Sequence, residues 1–97
     1  MTTTATELEI YFNNEQWLIK PATIAIGKAH QKPGFSYDRA LKFLTNRCRD
    51  AAKAYQHEFG SMADRWQDTF PLEDRKEAAE AILESMLAEF RLGNYWR

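Results

Sequence analysis

Soft and imidazole side chains are scarce in this chain: Cys48 is its single cysteine, and His30 and His57 are its two histidines. One cysteine excludes an intrachain disulfide and a cysteine-based zinc site. Cys48 and His57 stand nine residues apart, which a helix turns into ~13 Å along its axis, too far for a nucleophile–base dyad or a shared metal. Cys48 also falls among apolar residues at helical spacing, the usual place of a small core side chain. The four glycines (Gly27, Gly34, Gly60, Gly93) are scattered singly, so no loop can cradle a phosphate with its backbone. Apolar runs are short, and the start MTTTATELE has no basic segment followed by an apolar one. The expectation is a cytoplasmic protein without a membrane span. Repeats and linkers are absent too, apart from a polar start, residues 1–6, expected to be flexible.

What remains is the make-up of a globular protein. Residues 1–97 are long enough to bury a core without a staple, and they make a single compact domain. Apolar residues are 44% of the chain and charged residues 28%, which argues against a disordered tail. The net charge of −1 hides a split. Residues 1–57 carry eight Lys/Arg against five acids, whereas residues 58–89 carry nine acids against Arg65, Arg75 and Lys76. Such asymmetry points towards a charged partner rather than towards a fold.

The fold expectation is α+β: a small N-terminal antiparallel sheet of two or three strands packed against two long helices. Glu7 to Phe12 alternates, with Leu8, Ile10 and Phe12 on one side and Glu7, Glu9 and Tyr11 on the other, which is the period of a half-buried strand. Asn13-Asn14 reads as a hairpin turn, and Trp17 to Lys20 as the return strand, ended by Pro21. Ala22 to Ile26 fits a third strand, favoured by its alternation and β-branching, or a short helix begun by Pro21 and continued through Ala29. A loop over 27–35 follows, punctuated by Pro33-Gly34. Helix 36–59 then opens on Ser36 as N-cap with Asp38 behind it, and Leu41, Leu44, Cys48, Ala51, Ala52 and Tyr55 repeat at helical spacing. Ser61 to Asp68 suits a short helical turn. The last helix, 72–92, begins beyond Pro71, carries Glu73 and Asp74 at the positive end of its dipole, and is capped by Gly93.

That last helix holds the feature with most functional content. Ala79, Ile82, Leu83, Met86 and Phe90 share one side, while Glu73, Glu77, Glu80 and Glu84 fall within ~60° of one another on the opposite side. The four span ~16 Å and have no lysines among them, so each i,i+4 pair costs a few tenths of a kcal/mol. Asp64 and Asp68 add a further i,i+4 acidic pair if their segment is helical. One DNA strand places about five phosphates over the same ~16 Å, so the row approaches phosphate density. Plain solubility explains it equally well. Paired carboxylates such as Glu77 with Glu80 lack a pocket to drive their pKa values apart, and no enzymatic activity, metal or cofactor is expected. On helix 36–59, Arg39, Lys42, Arg49 and Lys53 form a basic face that could meet nucleic acid. The sequence pI of about 6.1 argues against this, since nucleic-acid binders usually exceed a domain pI of ~9.

In size, layout and charge placement the whole chain resembles the small phage and prophage anti-CRISPR proteins, type I-F inhibitors of the DNA-mimic kind. The likeness rests on MTTTATELEIYF, on QWLIKP, on YDRALKFLTNRCRDAAKAY and on the acidic LEDRKEAAEAILESMLAEF. It implies a non-enzymatic inhibitor acting in the cytoplasm of a bacterial host. Its partner would be the type I-F (Csy) surveillance complex, where the large subunit meets the adjacent backbone subunit and receives duplex DNA. It implies no direct nucleic acid, membrane or small-molecule substrate. The matching acids would be Glu73, Glu77, Glu80 and Glu84, with Asp64 and Asp68 as second choices. Two other classes compete: a nucleic-acid-binding accessory protein using the basic face, and an assembly or toxin-neutralising protein packing Trp66, Tyr95 and Trp96 on a partner.

Overall fold

The computed structural model describes residues 1–61 and 64–95, and they fold into five helices: α1 (Thr3–Asn14), α2 (Gln16–Gln31), α3 (Tyr37–Phe59), α4 (Trp66–Thr69) and α5 (Leu72–Arg91). The described residues contain no strand, so the α+β expectation with its antiparallel sheet is wrong. The architecture is all-α, a rod of 46 × 23 × 18 Å.

The error lies entirely in the N-terminal third. Glu7 to Phe12 is helix, and its buried residues are Ala5, Leu8 and Phe12, spaced i, i+3, i+7. Ile10, expected on the buried side of a strand, is 54% exposed. The six-residue window was too short to separate the two periods; the helical one emerges only when Ala5 is included. The polar start is the cap that makes this helix possible. Thr2 Oγ1 accepts from the Ala5 N–H at 3.1 Å, and the Thr2 carbonyl accepts from the Thr6 N–H at 3.0 Å. Asn13-Asn14 closes α1 rather than turning a hairpin. Glu15 alone, with φ −101° and ψ 109°, is both the end of α1 and the N-cap of α2.

Pro21 sits inside α2, past the first turn where proline is harmless. Its missing N–H deprives the Trp17 carbonyl of an i+4 donor. Arg47 on α3 replaces it: Nη2 donates to the Trp17 carbonyl at 3.4 Å, the guanidinium lies 6.0 Å from the Trp17 ring centroid, and Nη1 meets Asp50 Oδ2 at 3.0 Å. Ala22 to Ile26 is therefore helical, with Leu18, Ala22 and Ile26 buried at i,i+4 spacing. The alternative of a helix beyond Pro21 comes nearer than the third strand, although α2 starts earlier and runs further. The loop shrinks to 32–36, where Gly34 supplies φ +81°.

The C-terminal two thirds follow expectation. Ser36 caps α3 by accepting from the Arg39 N–H at 3.3 Å, and α3 stops at Gly60. At the end of α5 the Gly93 N–H reaches the Phe90 carbonyl and the Asn94 N–H the Glu89 carbonyl, both at 2.9 Å, with Gly93 at φ +79°. Seven α5 residues are buried, Ala78, Ala79, Ile82, Leu83, Met86, Leu87 and Phe90, and they sweep ~180° of the helical wheel. That arc is wide because α5 is flanked on two sides. Thr2 touches Asp74 and Glu77 while Asn13 shares a groove with Met86 and Glu89, so α1 runs parallel to α5. Tyr37 reaches Glu84 while Lys53 and Arg75 meet over Trp66, so α3 runs antiparallel to it. Across the far end of α5, Gly27 of α2 leaves room for Tyr95, whose ring stacks on Phe90 at 4.7 Å; a Cβ on Gly27 would approach Tyr95 Cδ1 to 3.2 Å.

The Pro21–Arg47 relation is testable. Arg47→Met should cost roughly 1 kcal/mol in urea denaturation, a modest hydrogen-bond value because water reaches this site. In a Pro21→Ala background the restored N–H takes the Trp17 carbonyl, and the same change should cost less, with a coupling of ~0.5 kcal/mol or more. Equal costs in both backgrounds would show that Arg47 acts only through Asp50 and the indole.

Candidate functional site

The glutamate row forms as its helical phase requires. Glu73, Glu80 and Glu84 are exposed on the outward side of α5 and Glu77 is half-buried beside α1. The chain itself holds two of the four. Glu77 Oε2 accepts from the Thr2 N–H at 3.1 Å, next to Asp74 Oδ1, which accepts from the Thr2 hydroxyl at 3.0 Å. Glu84 Oε1 accepts from the Tyr37 hydroxyl at 3.0 Å. One hydrogen bond leaves most of a carboxylate's acceptor sites free for a partner and gives both groups a fixed position. Nothing in the sequence pointed to Thr2 or Tyr37, because each lies more than forty residues from its partner.

Two phenols are shifted by burial and by neighbouring acids. Tyr37 is raised above its ordinary value by burial first, then by the hydrogen bond to Glu84 and the charges of Glu84, Glu80 and Asp38. Tyr11 is pushed up to about 12 by burial and by Glu58, whose Oε2 accepts from its hydroxyl at 3.0 Å.

Asp64 and Asp68 do not join the row as a helical pair. The helix that would align them, α4, spans Trp66–Thr69 and leaves Asp64 outside it. Asp64 instead borders a recess of ≈ 300 Å³ with Lys53, His57 and Arg65. The basic residues Arg39, Lys42, Arg49 and Lys53 are all exposed on α3, with Lys53 Nζ 5.3 Å from the Trp66 ring centroid.

Two aromatics of the packing hypothesis, Trp66 and Tyr95, are engaged internally. Trp66 packs on the core and carries Lys53 and, at 5.1 Å, Arg75 over its ring. Tyr95 stacks on Phe90, and its hydroxyl lies 3.1 Å from His30 Nδ1. Trp96 lies outside the described residues. Cys48 is fully buried, and burial pushes its thiol up to about 12, with Arg75 pulling weakly the other way. A thiol in that state is a packing group rather than a nucleophile. Among the described residues no cluster of three or more His, Cys, Asp or Glu could hold a metal ion, and no helix is long and apolar enough to cross a membrane.

Among the exposed large side chains that sequence reasoning missed are Trp17, 48% exposed, and Phe43, 38% exposed, which flank the seam between α2 and α3. A helical reading of residues 16–31 would have found that face, since Trp17, Pro21, Ala25 and Lys28 then fall together.

Two titrations follow. Glu84→Gln keeps an acceptor for Tyr37 but removes the charge, so the phenol should move down towards its ordinary value; NMR of ring-labelled tyrosine reads this directly. Tyr11 ionises later when folded than when unfolded, so its contribution is present below pH 10 and lost as pH rises through about 12. Tyr11→Phe should flatten that part of an alkaline stability curve.

No family model, curated protein or solved structure matches this chain.

Proposed function

We propose that the protein is a non-enzymatic inhibitor that presents the carboxylate face of α5 to a Lys/Arg groove built to receive duplex DNA. The target implied by the resemblance is the type I-F surveillance complex, at the junction of its large subunit and adjacent backbone subunit. The observation that carries the reading is the outward row of Glu73, Glu77, Glu80 and Glu84 on one continuous helix, with Glu77 and Glu84 pinned by Thr2 and Tyr37. The hairpin that formed part of the resemblance does not exist; the charge placement is what supports the proposal. Asp64 and Asp68 drop out of it, for want of a helix to align them.

Pinning matters energetically. Freezing a free glutamate at an interface costs ~0.5–1.5 kcal/mol, and two of the four are already ordered before any partner arrives. The overall charge of −1 is no obstacle, because a cationic groove meets only the face in front of it. Cations on α3 and carboxylates on α5 also make the molecule polar in charge, which orients it during approach and speeds association at low salt.

The test is competition on immobilised surveillance complex with labelled duplex. The unmodified protein should displace the duplex, and a quadruple reversal of Glu73, Glu77, Glu80 and Glu84 to lysine should not, while circular dichroism shows the helices intact. Equal displacement by both forms would reduce the row to a solvated face. A second reading is favoured by the exposure of Arg39, Lys42, Arg49 and Lys53 along the longest helix: direct binding of nucleic acid. It requires a salt-sensitive gel shift that Lys42→Glu abolishes, and the first reading requires that no such shift occurs.

A further inference from the structure

The α2–α3 seam offers a second surface, distinct from the glutamate row. Between the two helices lies a groove of ≈ 370 Å³ whose floor and walls include Ala25, Ile26, Ala29, Ala40 and Phe43. The charged residues lining it are Lys32 and Arg39, and no acid lines it. Because α2 and α3 are antiparallel neighbours, the seam continues to Trp17 and Arg47, ~18 Å from Ala29 along α2. At that end Asp50 is paired with Arg47, and Glu15 stands at the N-cap of α2, two residues before Trp17. Asp38 faces the other way, bordering a recess with Lys42 and Lys76.

We infer that this groove is a docking site for an acidic amphipathic helix of a partner protein, its apolar side lying between α2 and α3 and its carboxylates meeting Lys32 and Arg39. Three features select that occupant. Small residues at 25, 29 and 40 let a helix approach closely, and ~18 Å accommodates the i, i+4, i+7 anchors by which helices fill grooves. The rim charge is of one sign, so an acidic peptide is favoured and a basic one repelled. A single strand of nucleic acid would share the charge preference, but it needs flat rings spaced for successive bases. Two rings line this groove, Phe35 and Phe43, and Phe35 is packed on the core with its ring edge-on to His30, so no row of open rings is presented; Trp17 lies further along the seam. A second copy of this chain is a poor occupant, since its acidic α5 face has its apolar residues buried in its own core.

The probe is a displayed library of peptides ~18 residues long, selected on the full chain and counter-selected on an Ala29→Glu variant. Ala29 is exposed, so the variant should keep the fold, and circular dichroism checks it. Selected peptides should carry two or three Leu, Ile or Phe at helical spacing with Asp or Glu between them. Synthesised with a fluorophore, they should lose affinity by about tenfold or more with Arg39→Glu and with Phe43→Ala. Reversing Glu73, Glu77, Glu80 and Glu84 to lysine should leave this binding in place, which separates the groove from the function proposed for α5. Failure to select any peptide, selection of basic ones, or binding indifferent to Ala29→Glu and Arg39→Glu would overturn the inference. So would an oligothymidylate probe binding more tightly than the peptides and losing its affinity on Arg39→Glu.

Discussion

Burial of half the circumference of α5 is the constraint on which the other helices depend. With no sheet among the described residues, backbone groups bond mainly within their own helix, the Thr2 N–H and the Trp17 carbonyl being exceptions, and the ladders say little about how the helices sit together. Their arrangement comes from side chains alone. Ala78 and Ala79 let neighbours come close, Leu83 and Met86 fill the space between them, and Phe90 closes the far end under Tyr95. α1 and α3 each bury a narrower stripe, Ala5–Leu8–Phe12 in one and Ala40–Leu44–Cys48 in the other. Neither stripe is wide enough to make a core unless α5 lies between them. Of the outward half that remains on α5, the four glutamates occupy ~60°.

What could be read from the chain itself divides along the same line. α3 and α5 were legible because both carry end signals, Ser36 and Gly60 in one, Pro71 and Gly93 in the other, and because each sustains a helical apolar stripe over about three turns or more. The N-terminal helices offer shorter stripes and misleading punctuation. Asn13-Asn14 resembles a hairpin turn, yet Glu15 joins the helices with ordinary negative φ. Pro21 resembles a strand end, yet its lost hydrogen bond is compensated by Arg47, more than twenty residues away. Compensation at that distance is invisible to any local pattern. The glutamate row was legible from phase alone, whereas its anchors Thr2 and Tyr37 are tertiary facts. Asp64 and Asp68 were grouped by a spacing that has meaning only inside a helix.

The distribution of charge gives the molecule two unlike sides. One helix shows carboxylates outward, and the seam between two others shows lysine and arginine around small apolar residues. Their independence is structural: α5 is shared core, but its outward arc and the α2–α3 groove have no side chain in common. A protein of this size has room for two binding faces when a single central helix serves as the core for both.

The placement of α5 after the helices it covers also matters for how the molecule is made. Synthesis proceeds from the N-terminus, so α1, α2 and α3 emerge before the element that covers their apolar stripes. Thr2 must wait for Asp74 and Glu77, partners more than seventy residues downstream. Until Phe90 has left the ribosome the nascent chain can hold helices but no closed core. During that interval the chain has its helix caps at Thr2 and Ser36 and the smaller contacts among α1, α2 and α3.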